Sequence, residues 1–424
     1  MNKRKKSPCG KRSFFSILLS AGLSASLIFG SPVFAEEDAT ADTTSSGITT
    51  NQISGWPQGP EITSEAAVIL EESTGTTLYA KNMDEILYPG STVKVMTCLL
   101  ALENSNLTDQ VTMTATGVSG VTDGGASISA QAGEVFTMEQ CLYAIMVASA
   151  NDIALQVAEQ IGGSVDNFVA MMNTRASQLG CTNTVFTNPT GLPDENQHTT
   201  AHDMALIMKA ATESPSFSPI ATANTYTIPA TNVSAGSRSL TSKFTMTNAS
   251  SDAYYEGCLG GKEGYTEASG STLVCSAQRN GITLICVVLK GASGQTDDEA
   301  ITLLDYGFSN FQLLTLGEDD FSLMSGGQVI IPAGVTEDSL TVQDTPEGDQ
   351  VNRTYFYSGV QVGTAVMEPE QEQDTSLYTN GQANMEAAKA YSQTTSYVPY
   401  AVIGGVAFLI LLLLFIKMIK IIKS

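Results

Sequence analysis

Apolar residues recur at helical spacing over 91–103, 138–160, 165–179, 202–212 and 297–308, the pattern of helices with one buried face. Between these stretches, short apolar-rich runs at 66–70, 76–80, 260–266, 272–277 and 282–289 predict strands. Ser73, Thr74 and Gly75 make a hairpin of the first two strands. Asn280-Gly281 is the strongest two-residue hairpin signal in the chain, and it sets Arg279 opposite Ile282 and, counting outward, Cys275 opposite Cys286. The order is two strands, a block of helices, three strands and a helix. That order predicts an α+β domain: one mostly antiparallel five-stranded sheet with helices segregated around it. Beyond Leu314, alternation at 328–331, 339–342, 353–357 and 364–367 predicts a small C-terminal all-β module. No internal repeat is present.

The two ends follow different rules. Lys3, Arg4, Lys5, Lys6, Lys11 and Arg12 precede an apolar stretch at 14–29, Ser31 and Pro32 break it, and Ala35 closes a small-residue site. This is the pattern of a secretory signal peptide cleaved after Ala35. An uncleaved anchor is the alternative, but the run is short for a span of roughly 20 residues. At the other end, residues 398–416 are apolar almost throughout and Lys417, Lys420 and Lys423 follow, which predicts a transmembrane helix with a cytoplasmic tail. The expected organisation is a signal peptide (1–35), a disordered linker (36–60), a main domain (61–314), the β module (315–368), a second linker (369–396), a transmembrane helix (397–417) and a tail (418–424). The chain is then a single-pass protein of the cell membrane with residues 36–396 outside the cell.

Charge narrows the partners. With the terminal basic clusters set aside, residues 36–396 hold 11 basic and 43 acidic residues, a net charge of −32. So acidic a surface argues against nucleic acid and against docking on anionic lipid. None of the cysteines forms a C-x-x-C pair, and the only histidines are His198 and His202, with a helix cap expected between them at Thr200 and Asp203. The sequence therefore calls for no metal and no cofactor. Outside the cell a Cys275–Cys286 disulfide is permitted, and two buried thiols are the alternative.

Without a well-placed histidine, nucleophilic catalysis needs another base, and a lysine serves if its charge is made unfavourable. Ser91-Thr92-Val93-Lys94 is the only S-x-x-K in the chain, and three residues along a helix bring the hydroxyl and the amine to one side. Ser91 also opens its helix, where backbone N–H groups without internal partners can face a developing oxyanion. Ser149-Ala150-Asn151, inside the helical stretch 138–160, is the sole S-x-N. Lys262-Glu263-Gly264, on a strand, is the sole K-x-G. Each alone has a plain reading as a capping serine, a packing serine or a solvated strand lysine.

Together and in this order, the three motifs resemble the active-site set of serine penicillin-binding proteins and β-lactamases. Residues 88–97 (YPGSTVKVMT), 148–153 (ASANDI), 168–180 (FVAMMNTRASQLG), 184–192 (TVFTNPTGL), 198–205 (HTTAHDMA) and 260–266 (GGKEGYT) narrow the resemblance to the low-molecular-mass D-alanyl-D-alanine carboxypeptidases. The resemblance implies the β-lactamase/DD-peptidase fold, peptidoglycan stem peptides as substrate and β-lactam antibiotics as acylating ligands. It implies Ser91 as nucleophile and Lys94 as its base, with Lys262 close enough to depress the Lys94 pKa. Ser149 is then the relay to the leaving amine and Asn151 a positioning group for Lys94 and the substrate amide. The backbone N–H groups of Ser91 and Tyr265 form the oxyanion hole. Gly264 leaves room for the substrate backbone.

One residue departs from the pattern. Where the family carries a hydroxyl that holds the substrate's terminal carboxylate, this chain has Glu263, whose charge would repel it. An active carboxypeptidase is the leading reading. A β-lactamase-like hydrolase would need a deacylating base that the sequence does not point to. A wall-binding scaffold that lost activity through Glu263 is opposed by the intact Ser91, Lys94, Ser149, Asn151 and Lys262.

Overall fold

A computed structural model of the chain describes residues 47–120, 125–316 and 323–368. The expected signal peptide, the second linker, the C-terminal span and the tail lie outside them. Among the described residues no helix is long and apolar enough to cross a membrane.

The described residues open with a 3-10 turn (Thr49–Gln52) and the hairpin β1 (Ala66–Glu71) and β2 (Thr77–Lys81). A second 3-10 turn, Gly90–Val93, runs directly into α1 (Lys94–Asn104). There follow β3 (Gln110–Thr112), α2 (Ala115–Ser119), β4 (Val135–Thr137), α3 (Met138–Val147), α4 (Asn151–Gly162), α5 (Val165–Gln178), α6 (Ala201–Thr212) and α7 (Phe217–Ala221). A small ribbon of β5 (Thr225–Ile228) and β6 (Arg238–Thr241) precedes β7 (Cys258–Thr266), β8 (Gly270–Arg279), β9 (Ile282–Gly291) and α8 (Thr296–Asn310). The remaining strands are β10 (Phe311–Thr315), β11 (Leu323–Pro332), β12 (Thr341–Glu347), β13 (Gln350–Tyr357) and β14 (Val360–Met367).

The main sheet has the order β2-β1-β9-β8-β7, antiparallel throughout, so β7 is an edge strand. Its central strands are buried on both faces, which is why β1 and β9 read as continuous rather than alternating apolar runs. Along β1, Ala66, Val68 and Leu70 join the core under α1, α3 and α6. Ala67 and Ile69 point the other way, into a second core that includes Leu303 and Leu304 of α8 and Ile330 and Val362 of the C-terminal sheet. Each such aliphatic side chain contributes about 1.5–3 kcal/mol relative to exposure. The Asn280-Gly281 turn forms as expected, with both residues at positive φ (51° and 81°), Arg279 pairing with Ile282 and Cys275 with Cys286. Both are free thiols, buried on the face of the sheet that packs into the second core, so the reading as two buried thiols holds and the disulfide is not formed.

Three sequence expectations are corrected. Residues 47–60 are not a disordered linker: Ile48 and Trp56 are buried in the second core, and the Trp56 indole N–H donates to the Leu78 carbonyl at 2.8 Å. Ile48 and Trp56 supply the apolar area that anchors a segment whose average composition is polar. The second sheet begins at Phe311, inside the expected main domain, because β10 follows α8 without a linker and pairs with β11. The single helix expected over 138–160 is two helices, broken at 148–150.

Trp56→Ala should cost about 3–5 kcal/mol, the range for deleting a buried aromatic. Equilibrium denaturation measures it, and a midpoint equal to wild type would return residues 47–60 to a linker.

Candidate active site

Three segments from distant parts of the chain converge on Ser91. The Gly90–Val93 turn starts with Gly90 at φ 57° after Pro89, and the Thr92 hydroxyl donates back to the Pro89 carbonyl at 2.7 Å. The turn carries Ser91 and delivers Lys94 into the first turn of α1, completely buried. Ser91 Oγ lies 3.3 Å from the Lys94 amine and accepts from the Ser149 hydroxyl at 3.2 Å. The Lys94 amine also donates to the carbonyl of Thr190.

That carbonyl is presented by a loop built around Asn188. Its side-chain oxygen accepts from the Thr190 N–H (3.1 Å), the Thr190 hydroxyl (2.7 Å) and the Gly191 N–H (2.9 Å). This is an Asx-type turn, for which asparagine before proline is suited. Gly191 has φ 80°, and a side chain there would strike the Gly90 carbonyl.

Ser149 sits in the break between α3 and α4, not within a helix. It has φ 56°, and the next N–H, that of Ala150, donates to the Ala144 carbonyl at 3.1 Å. The Ala144 carbonyl thus closes the end of α3, with Ser149 in the left-handed conformation that ordinarily goes to glycine. The conformation aims the hydroxyl at Ser91, and it strains the backbone there. Asn151 begins α4, nearly buried; its N–H donates to the Ala126 carbonyl at 2.8 Å and its side-chain oxygen is buried without a partner. The expected link from Asn151 to Lys94 is therefore not made, and Thr190 holds the amine instead. Neighbouring Asp152 ties down the 125–130 loop by accepting from the Ser127 hydroxyl (2.7 Å) and the Ala130 N–H (3.1 Å).

The third wall is β7. Lys262 is 3% exposed, and its amine donates to the Glu263 carbonyl at 3.0 Å. Gly264 has a structural reason beside the one expected of it: a Cβ there would stand 2.5 Å from the Ser91 nitrogen. The missing side chain lets the edge strand pack on the nucleophile's own turn, a contact no substrate is needed to explain. Tyr265 follows, 66% exposed at the cavity rim.

Electrostatics follow from burial. Removal from water holds the Lys94 amine well below its ordinary pKa, and the Lys262 charge adds to the effect as the smaller cause, where the sequence pointed to Lys262 alone. Lys262 itself is pushed down to about 8, chiefly by burial, with Glu263 opposing and Lys243 assisting. The Glu263 carboxyl is raised by burial, against the pull of Lys262, and Asp297 raises it further. Lys243, from the segment after β6, and Asp297, from α8, line the same cavity of about 620 Å³ as Ser91, Ser149, Lys262 and Glu263. Neither was singled out in the sequence. Asp297 lies far along the chain in an acidic run that reads as a helix N-terminus, and only the fold brings it beside Glu263.

The family model for D-alanyl-D-alanine carboxypeptidases matches residues 54–293, more than half of the chain. The chain belongs to this family. Among curated relatives it is 33% identical to the D-alanyl-D-alanine carboxypeptidase DacF of Bacillus subtilis over 58% of this chain and 63% of that protein. It therefore spans less than two thirds of DacF's length. It is 32% identical to DacB2 of Mycobacterium tuberculosis over 60% of this chain and 84% of that protein. Among solved structures, penicillin binding protein 5 from Haemophilus influenzae superposes with a TM-score of 0.61 at 25% identity, covering 74% of this chain and 98% of that one.

If the left-handed backbone at Ser149 is strained, Ser149→Gly should be more stable than Ser149→Ala by about 1 kcal/mol, because both lose the hydroxyl and only glycine relieves the strain. Paired urea melts test this, and equal midpoints would mean the cap is unstrained.

Proposed function

We propose that this chain is a serine acyl-transferase that cleaves D-alanyl-D-alanine stem peptides of peptidoglycan and is acylated by β-lactams. The observation that carries the reading is Lys94, wholly buried beside Ser91 Oγ with a hydroxyl and a carbonyl, and no carboxylate, for partners. Burial holds the pKa of such an amine well below its ordinary value, and once the proton is lost its lone pair can take the Ser91 proton. Ser91 Oγ then attacks the carbonyl of the penultimate D-alanine. Ser149, in hydrogen-bond contact with Ser91 Oγ, passes the proton to the departing amine.

The N–H groups of Ser91 and Tyr265 are assigned to the oxyanion, Asn151 to the substrate amide, and Lys262 supplies a fixed positive charge in the cavity wall. The edge position of β7 supports this use, since an extended peptide can pair along it. We further propose that the chain is exported by its N-terminal segment and held at the outer face of the cell membrane by its C-terminal apolar stretch. The described domain would then face the wall.

Ser91→Ala should fold and form no covalent adduct with penicillin, and Lys94→Ala should lose acylation at pH 7 while still folding. Intact-protein mass spectrometry reads both, and an adduct retained by Ser91→Ala removes that residue from the mechanism.

The pH profile gives a second test. Acylation needs Lys94 neutral and Lys262 charged, so its rate should rise with pH through the lowered Lys94 pKa and fall as Lys262 loses its proton near about 8. Lys262→Arg, which cannot lose its charge in this range, should move the alkaline limb upward. An alkaline limb that stays near 8 would assign it to another group.

A further inference from the structure

The loop at 187–197 lends no side chain to the chemistry, yet it lines the cavity through Thr190, Gly191, Leu192 and Pro193 and is densely bonded. Two of its consecutive carbonyls face α1. The Thr97 hydroxyl donates to the Pro189 carbonyl at 2.8 Å, and the amine of Lys94, one turn earlier on that helix, donates to the Thr190 carbonyl. Behind these carbonyls stand two side-chain amides. Asn188 gathers the Thr190 and Gly191 N–H groups and the Thr190 hydroxyl on its side-chain oxygen, and its side-chain nitrogen donates to the Leu192 carbonyl at 3.1 Å. Gln197, 2% exposed, accepts from the N–H groups of Thr187 (3.1 Å) and Asn188 (3.2 Å) and donates to the same Leu192 carbonyl at 3.3 Å. The Thr190 carbonyl is thus fixed in direction from both ends of its turn.

That direction matters to a base. A neutral amine has two N–H groups and one lone pair, and it turns freely about its last carbon–nitrogen bond unless an acceptor holds it. A lone pair aimed at the Thr190 carbonyl would meet the oxygen's own lone pairs, so that orientation is excluded. With an N–H held there instead, the orientations that remain include the one that aims the lone pair at Ser91 Oγ, 3.3 Å away. Among the described residues the charged side chain that acts on Lys94 is Lys262 of β7, whereas Asn188 is neutral and acts through geometry alone.

We propose that Asn188 is a positioning residue for acyl transfer: by fixing the Thr190 carbonyl it holds one N–H of the Lys94 amine and so turns the lone pair toward Ser91 Oγ. This rests on the acyl-transfer reading above and adds to it a residue that touches neither substrate nor the reacting atoms. Gln197 stands one step further back, holding the backbone from which Asn188 projects.

The test follows acylation of the full-length chain by a penicillin across pH. Intact-protein mass spectrometry gives the rate, and its dependence on penicillin concentration separates the limiting rate from noncovalent affinity. Asn188→Ala should lower the limiting rate by about 10- to 100-fold, the scale of a misplaced catalytic group, with affinity little changed. Its acid limb should shift to lower pH, because an ammonium deprived of a carbonyl acceptor releases its proton more readily. A loop that serves the fold alone would weaken affinity and leave the acid limb in place. Asn188→Asp keeps the acceptor oxygen and adds a negative charge, so it should recover most of the rate and move the acid limb to higher pH. That variant decides the matter if Asn188→Ala does not fold. Acid limbs that coincide with wild type, or an aspartate variant as slow as the alanine one, overturn the proposal and leave acyl transfer standing. No adduct on the wild-type chain overturns acyl transfer and the proposal together.

Discussion

An amine that is wholly buried and given no carboxylate cannot keep its proton at ordinary cost, and the site follows from this constraint on Lys94. The residue enters the core because a 3-10 turn at Gly90–Val93 feeds α1 without a break, so Lys94 occupies the first helical position facing inward. Its partners are the Ser91 hydroxyl and the Thr190 carbonyl. Each is held by a separate piece of backbone chemistry: the positive-φ Gly90 for the first, the Asn188 turn for the second. The close approach of β7, possible because Gly264 has no side chain, seals the same turn from the other side. The lowered Lys94 pKa, the half-buried serine hydroxyl and the cavity are one consequence of that packing.

Much of this was legible in the chain. The five main strands, their antiparallel pairing and the Cys275–Cys286 register could be read from apolar runs and one Asn-Gly turn, because those features act locally. The site motifs were legible as a set, since three spacings in a fixed order restrict chance matches far more than any one does. What escaped the sequence depended on tertiary contact. Ser149 reads as helical by composition, and the left-handed cap that aims it is visible only once Ala150 is seen bonding back to Ala144. Trp56 lies in a polar stretch, and nothing local shows that it packs beneath Leu78 and Phe311. Asp297 looks like one of three acids that open a helix, favourable with the helix dipole and otherwise unremarkable.

Glu263 is the residue where local reading and fold meet. By sequence it is a single departure from a family pattern. In the structure it has a companion in Asp297, so the acidity of that wall is a property of two elements and not one substitution. A scaffold that had merely lost activity would have no cause to keep Lys94 buried without a counter-ion, Ser149 in a strained cap and a cavity open onto both. The retained machinery is that of working chemistry.

The central claim is the lowered pKa of Lys94, and it can be observed without any substrate. Selective 13C labelling of lysine side chains allows each amine to be titrated by NMR, with Lys94 identified by its loss in Lys94→Ala. The account predicts a Lys94 midpoint well below the ordinary value of 10.5. It also predicts a partial return upward when the Lys262 charge is removed by Lys262→Met. A Lys94 midpoint at the ordinary value would contradict the account, because a protonated amine cannot accept the Ser91 proton.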